Sequence, residues 1–257
     1  MLSFLAIPMG KLVKLIYDLV SVADSKYLSA YSISIIISTI LFKLVVLPLT
    51  LKQTKSMKKM QDLNPKIAEL QEKYGKDPQT LQRKQMELYK EANYSPFSGC
   101  LPLLIQLPIL MSFFYVIQQP VKYVFGDQLT FDTINRTFLW ITDLGFKENF
   151  IFDNNVVNGL SMGGVSLPFI GAAVPILAAI SGITTFLTTK MTAQPAMNEQ
   201  QESTQKSMNM MMPVMIFIMG IQFPAGLGLY WVVSNIFQLV QQYIVLNSSK
   251  NPKEELK

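Results

Sequence analysis

Residues 27–51 read YLSAYSISIIISTILFKLVVLPLTL, a run whose only charge is Lys43. A helix rises about 1.5 Å per residue and roughly 20 apolar residues cross a bilayer, so this run is long enough to span one. A lone cation at that depth is costly and asks for a reason. Lys43 lies nine residues before Lys52, about 13 Å along a helix axis, too far for a lysine stem to snorkel comfortably to the surface. It has no internal counterion either, because none of the long hydrophobic windows contains Asp or Glu. Its charge is then solvated by water in a cavity, given up by deprotonation, or met by an acidic group from another molecule. Pro48 adds a polar atom nearby by freeing the carbonyl of Leu44.

Three more uncharged windows follow, 92–121, 154–189 and 207–249, in a chain that is 50% hydrophobic and only 15% charged. The pattern predicts an all-α polytopic membrane protein. The last window divides at Phe223-Pro224-Ala225-Gly226-Leu227-Gly228, where proline and close glycines favour a turn. Five transmembrane helices are therefore predicted, at 27–51, 96–119, 167–189, 207–222 and 225–246. The fourth, about 24 Å long against a hydrocarbon core of roughly 30 Å, implies local thinning of the bilayer.

Orientation follows from the basic residues. Segment 52–91 carries ten lysines and arginines, while 120–166 carries only Lys122, Arg136 and Lys147. The positive-inside rule places the first in the cytoplasm and the second outside, with the N-terminus external and the C-terminus cytoplasmic. The net charge of +5 then reads as topology and attraction to the lipid bilayer, with no specific nucleic-acid site. Residues 1–24 are predicted as an external amphipathic interfacial helix, since Lys11, Lys14, Asp18 and Ser21 recur on one stripe; an uncleaved signal segment is the weaker reading.

The cytoplasmic segment 52–94 reads as an antiparallel helical hairpin. Met60, Leu63, Ile67, Leu70 and Tyr74 form a seam, Gly75 can end the first helix, and Asp77-Pro78 supplies an N-cap and a first-turn proline for the next. Leu81, Gln85, Leu88 and Ala92 give a weaker second seam. Such a hairpin is either a solvated spacer or a docking surface. The remaining connections are an external one at 120–166, a cytoplasmic loop at 190–206 and a tail at 247–257.

Polar residues inside the spans form stripes. Ser32, Thr39, Lys43 and Thr50 share one helix face; Ser181, Thr184, Thr185 and Thr188 share another; Trp231, Asn235, Gln238 and Gln242 a third; and Gln106 sits between Pro102 and Pro108. By the predicted topology Lys43, Thr50, Thr184, Thr188, Gln238 and Gln242 fall in the cytoplasmic halves. The convergence predicts a hydrophilic groove open to the cytoplasm and closed outward, in preference to ordinary packing of Ser, Thr and Gln between helices. The predicted groove residues are Lys43, Thr39, Thr50, Gln106, Thr184, Thr185, Thr188, Trp231, Asn235, Gln238 and Gln242.

Chemistry that makes or breaks bonds finds no support. The chain has no histidine and one cysteine, Cys100, so His-based serine catalysis, His-ligated metals, a cysteine cluster and an internal disulfide are excluded. No catalytic residue, metal or cofactor is expected. A small-solute transporter is the alternative function, disfavoured by the absence of intramembrane carboxylates and of internal repeats. Met208, Met210, Met211, Met212, Met215 and Met219 give the fourth span an adaptable apolar surface, equally readable as core and lipid contact.

Several motifs together resemble the YidC/Oxa family of membrane protein insertases over nearly the whole chain: FKLVVLPLT at 42–50, LNPK at 63–66, LQEKY at 70–74, GCLPLLIQLP at 99–108, and GLYW at 228–231 with Asn235. The resemblance implies five core helices and a cytoplasm-facing groove whose cation attracts acidic residues of substrates. Lys43 stands where most relatives carry arginine, keeping the charge but losing the fork of donors. Thr185 stands where relatives often carry glutamine. The missing large periplasmic domain suggests the Gram-positive type in a bacterial plasma membrane. Implied partners are nascent membrane proteins, the ribosome and the Sec translocon, in a role of insertase and chaperone.

Overall fold

The structure is a computed structural model that describes residues 3–94, 101–145, 165–167, 172–192 and 199–248. Eight α-helices carry most of these residues: α1 (Ser3–Val20), α2 (Ala30–Tyr74), α3 (Pro78–Glu91), α4 (Leu101–Gln118), α5 (Gln128–Thr133), α6 (Ile176–Thr192), α7 (Glu199–Gln222) and α8 (Ala225–Ser248). One short antiparallel pair, β1 (Val165–Leu167) with β2 (Ala172–Val174), is the departure from an all-helical chain among the described residues.

The sequence 27–51 does not end its helix at Lys52. Helix α2 runs unbroken for 45 residues, about 68 Å, joining the apolar run to the first half of the hairpin. Ser29 caps it by accepting from the Ser32 amide at 3.1 Å, and Asp24 accepts from the Ala30 amide at 2.8 Å. Neither Pro48 nor Pro65 stops the helix, though each removes one backbone donor. Among the described residues α2 is the one helix both long and apolar enough to cross a membrane; 106–118 and α6 are shorter apolar helices.

Two other boundaries differ from the sequence reading. Helix α6 starts at Ile176 rather than 167. Pro175 sets that start: its carbonyl accepts from the Ala179 amide at 3.0 Å, and a residue before proline is steered to extended backbone, as Val174 is at the end of β2. Helix α7 begins at Glu199, inside the segment expected as a loop. Residues 96–100 of the second predicted span and 146–164 lie outside the described residues.

Helix α8 packs against both α2 and α6, α6 packs against α7, and α1 lies across α2 and α4. The main apolar core joins Ala6, Met9 and Val13 of α1 to Tyr31 and Ile35 of α2, Phe113, Val116 and Ile117 of α4, and Leu227, Leu229 and Tyr230 of α8. Gly10 makes the α1 contact possible, since a Cβ there would sit 2.1 Å from the Tyr123 carbonyl oxygen. A wide π-type turn, Val121–Phe125, supplies that carbonyl and ends at Gly126, whose φ of 84° suits glycine. The segment between α4 and β1 is tied down by Arg136 and Asp143, 2.7 Å apart and largely shielded from solvent, and by the Gly226 amide donating to the Leu144 carbonyl at 2.9 Å.

A second, smaller core belongs to the hairpin. Met60, Leu63 and Ile67 of α2 pack with Tyr89 of α3 and Tyr94, and the two tyrosine rings meet at 5.4 Å. Asp77 caps α3 by accepting from the Thr80 amide at 3.1 Å, with Pro78 in the first turn.

Candidate functional site

Along α2 the buried positions change character. Tyr31 and Ile35 lie in the apolar core with the small buried serines Ser32 and Ser34 beside them, whereas from Ser38 to Thr54 every buried side chain, Ser38, Thr39, Lys43, Gln53 and Thr54, is polar. Helices α6 and α8 repeat the change, from Leu177 to Ser181, Thr184, Thr185 and Thr188, and from Leu229 and Val232 to Ser234, Asn235, Gln241 and Gln242. The interhelix contacts advance in one direction: Ser181 Oγ, which donates to the Leu177 carbonyl at 2.8 Å, lies 3.3 Å from the Gly228 carbonyl oxygen, and the Asn235 amide nitrogen lies 3.1 Å from Thr184 Oγ1 and 2.9 Å from Thr185 Oγ1. Thus α6 and α8 run parallel. Likewise Thr50 of α2 donates to Gln241 Oε1 at 3.1 Å, and Gln241 Nε2 donates to Thr54 Oγ1 at 3.2 Å. A polar seam results, continuous over three helices and confined to one end of them.

Lys43 sits at the head of this seam and is only 7% exposed. Its partner among the described residues is a neutral amide, Gln106 Oε1 of α4, at 3.5 Å. The same amide donates through Nε2 to the Tyr230 hydroxyl at 3.2 Å. At the far end, a shallow cleft is lined by Thr54, Met57, Lys58, Gln61, Met191, Thr192 and Gln242. Gln61 closes one side of it by donating to the Met191 carbonyl at 3.1 Å.

Several buried polar atoms lack a protein partner among the described residues. They include Ser38 Oγ, Gln53 Nε2 and Gln242 Oε1. Buried polar groups are nearly always hydrogen-bonded, so Gln53 and Gln242 on α2 and α8 mark positions suited to water or to a polar visitor, and Ser38, about 22 Å from Gln53 along α2, marks a separate one.

The residues named from sequence are thus distributed unevenly. Lys43 meets Gln106, Asn235 meets Thr184 and Thr185, and Thr50 reaches α8. Thr39 and Thr188 bond instead to carbonyls of their own helices, Ile35 for the first and Thr184 and Thr185 for the second. Trp231 and Gln238 are partly exposed, and no hydrogen bond among the described residues ties either to the seam. Tyr230, Ser234, Gln241 and Thr54 were missed. Their signal was present: Tyr230, Ser234 and Gln241 step by four and seven, and Thr54 continues the stripe of Thr39, Lys43 and Thr50 past the end of the apolar run.

The seam, its buried cation and the apolar helix that carries it, long enough to cross a membrane, define a helical protein with a polar site built between its helices. The model of the 60Kd inner membrane protein family matches residues 23–253, and the chain belongs to that family, that of the YidC/Oxa insertases. It is 38% identical over 229 residues to Membrane protein insertase YidC of Clostridium perfringens, covering 88% of this chain and 84% of the relative. The relative of that name from Caldanaerobacter subterraneus is 32% identical over 254 residues, 99% and 100% of the two chains. A longer one from Pelodictyon phaeoclathratiforme is 36% identical over 219 residues, 85% of this chain and 33% of the relative.

Proposed function

We propose that this protein is a membrane protein insertase and chaperone that lowers the cost of passing a short polar tail across the bilayer. The observation that carries the reading is Lys43: buried, facing a neutral amide, in a chain whose hydrophobic windows hold no carboxylate. A charge so placed gains most from an acidic group brought by a client. The seam then serves as a hydrophilic groove open to the cytoplasm, with five spans, an external N-terminus and a cytoplasmic C-terminus. The polar tail enters the groove, Lys43 attracts its acidic residues, and the client's apolar segment moves into lipid over exposed Leu44, Val45, Met211 and Met215. No bond is made or broken. Partners under this reading are nascent membrane proteins, the ribosome and the Sec translocon, with the hairpin as a cytoplasmic docking element.

The test is insertion of a single-span client with an acidic external tail. Lys43→Ala lowers it by about tenfold, the scale of one hydrogen bond to a charged group, and Lys43→Arg retains it. Equal insertion by wild type and the alanine variant would remove the electrostatic role.

A further inference from the structure

We infer that Gln106 is a positioning residue that fixes the Lys43 ammonium while leaving it un-neutralised, and that Tyr230 in turn fixes Gln106. The inference rests on the reading of Lys43 given above and names what sets its preference for acidic clients. Gln106 presents its oxygen to Lys43 at 3.5 Å because its nitrogen is engaged by the Tyr230 hydroxyl at 3.2 Å. A flipped amide would turn N–H donors toward an ammonium that can only donate. Tyr230 is held in place: it is 1% exposed, and its ring stacks on Phe113 with centroids 4.2 Å apart. Phe113 lies seven residues beyond Gln106 on the same face of α4, so one helix supplies both the amide and the ring that steadies the tyrosine.

The choice of an amide matters chemically. Lysine carries three donors, and among the described residues one long contact occupies one of them. Glutamate has the same shape as glutamine. At this position it would pair with Lys43 and occupy the charge before any client arrived. The glutamine orients the cation and keeps it free to exchange partners.

The readout is a ratio, insertion of an acidic-tailed client over an uncharged-tailed one of equal length, measured in proteoliposomes. Gln106→Glu lowers that ratio by about tenfold, toward the value of Lys43→Ala. Tyr230→Phe lowers it by a smaller factor, since the amide is then free to turn. Wild-type ratios in both Gln106→Glu and Tyr230→Phe overturn the inference while leaving the role of Lys43 intact. A wild-type ratio in Lys43→Ala overturns the reading on which it rests.

Discussion

Asp77 shows how much one side chain settles locally. Its carboxylate accepts from the Thr80 amide at 3.1 Å, and the Thr80 bonds, side chain first and backbone second, hold its pKa below the ordinary aspartate value. A depressed folded-state pKa means that the cap stabilises α3 above the unfolded carboxylate's pKa and fades as pH falls through the lower, folded value. The Thr80 amide proton resonance should therefore titrate with a midpoint below that of a free aspartate and become flat in Asp77→Asn. A midpoint at or above the free value would remove the cap's contribution. Such a cap is legible in sequence because donor, acceptor and proline lie within four residues. The pairing of Lys43 with Gln106 is not, because 63 positions separate them and only packing decides which faces meet. For the same reason Gln241 escaped notice: neighbouring Gln242 is also buried, and a rotation of one residue decides which of them reaches α2.

Among the elements, α1 has the tightest fit. Placing a Cβ at Gly10 brings it within 2.1 Å of a backbone oxygen in the turn at Tyr123, so Gly10→Ala must push whole segments apart. Overpacking costs about 1–3 kcal/mol, and a backbone clash this close belongs at the upper end. The gain in helix propensity, about 1 kcal/mol, does not offset it. The variant should unfold at a lower temperature in detergent; an unchanged midpoint would mean that α1 is not seated on the turn. Nothing periodic announces this contact. The amphipathic stripe of Lys11, Lys14 and Asp18 is visible in the sequence, yet it cannot say that the opposite face, with Ala6, Met9, Val13 and Ile16, covers protein. Similarly, the hairpin seam of Met60, Leu63 and Ile67 follows from spacing, while Tyr94, beyond the end of α3, joins it only through the fold. The β1–β2 pair carries no spacing signal because three-residue strands are too short to show one.

Across the described residues, the large buried apolar side chains gather at one end of the α2, α6 and α8 group, with only small serines among them on α2, and the polar side chains that bond between these helices lie toward the other end. That asymmetry separates the arrangement from a pore, which needs polar lining along its full length. With Cys100 replaced by serine, Thr50→Cys and Gln238→Cys should react with a water-soluble thiol reagent added from the cytoplasmic side, and Ile35→Cys should not. Uniform protection would remove the cytoplasm-open groove. The composition of each helix foretold the polar stripes, since a costly residue in an apolar run stands out. Which stripes share a seam, and that one helix carries both the cation and half of the hairpin, depends on packing between segments far apart in the chain.

Thr50 and Gln241 are 191 positions apart. At synthesis rates of roughly 5–20 residues per second, α2 exists for on the order of 10–40 s before α8 is made. Throughout that wait Thr50 and Thr54 lack Gln241, the α8 side chain that bonds both. Under the proposed function, a newborn copy therefore presents the kind of segment that a finished copy receives, a polar stripe in an apolar run without its partners.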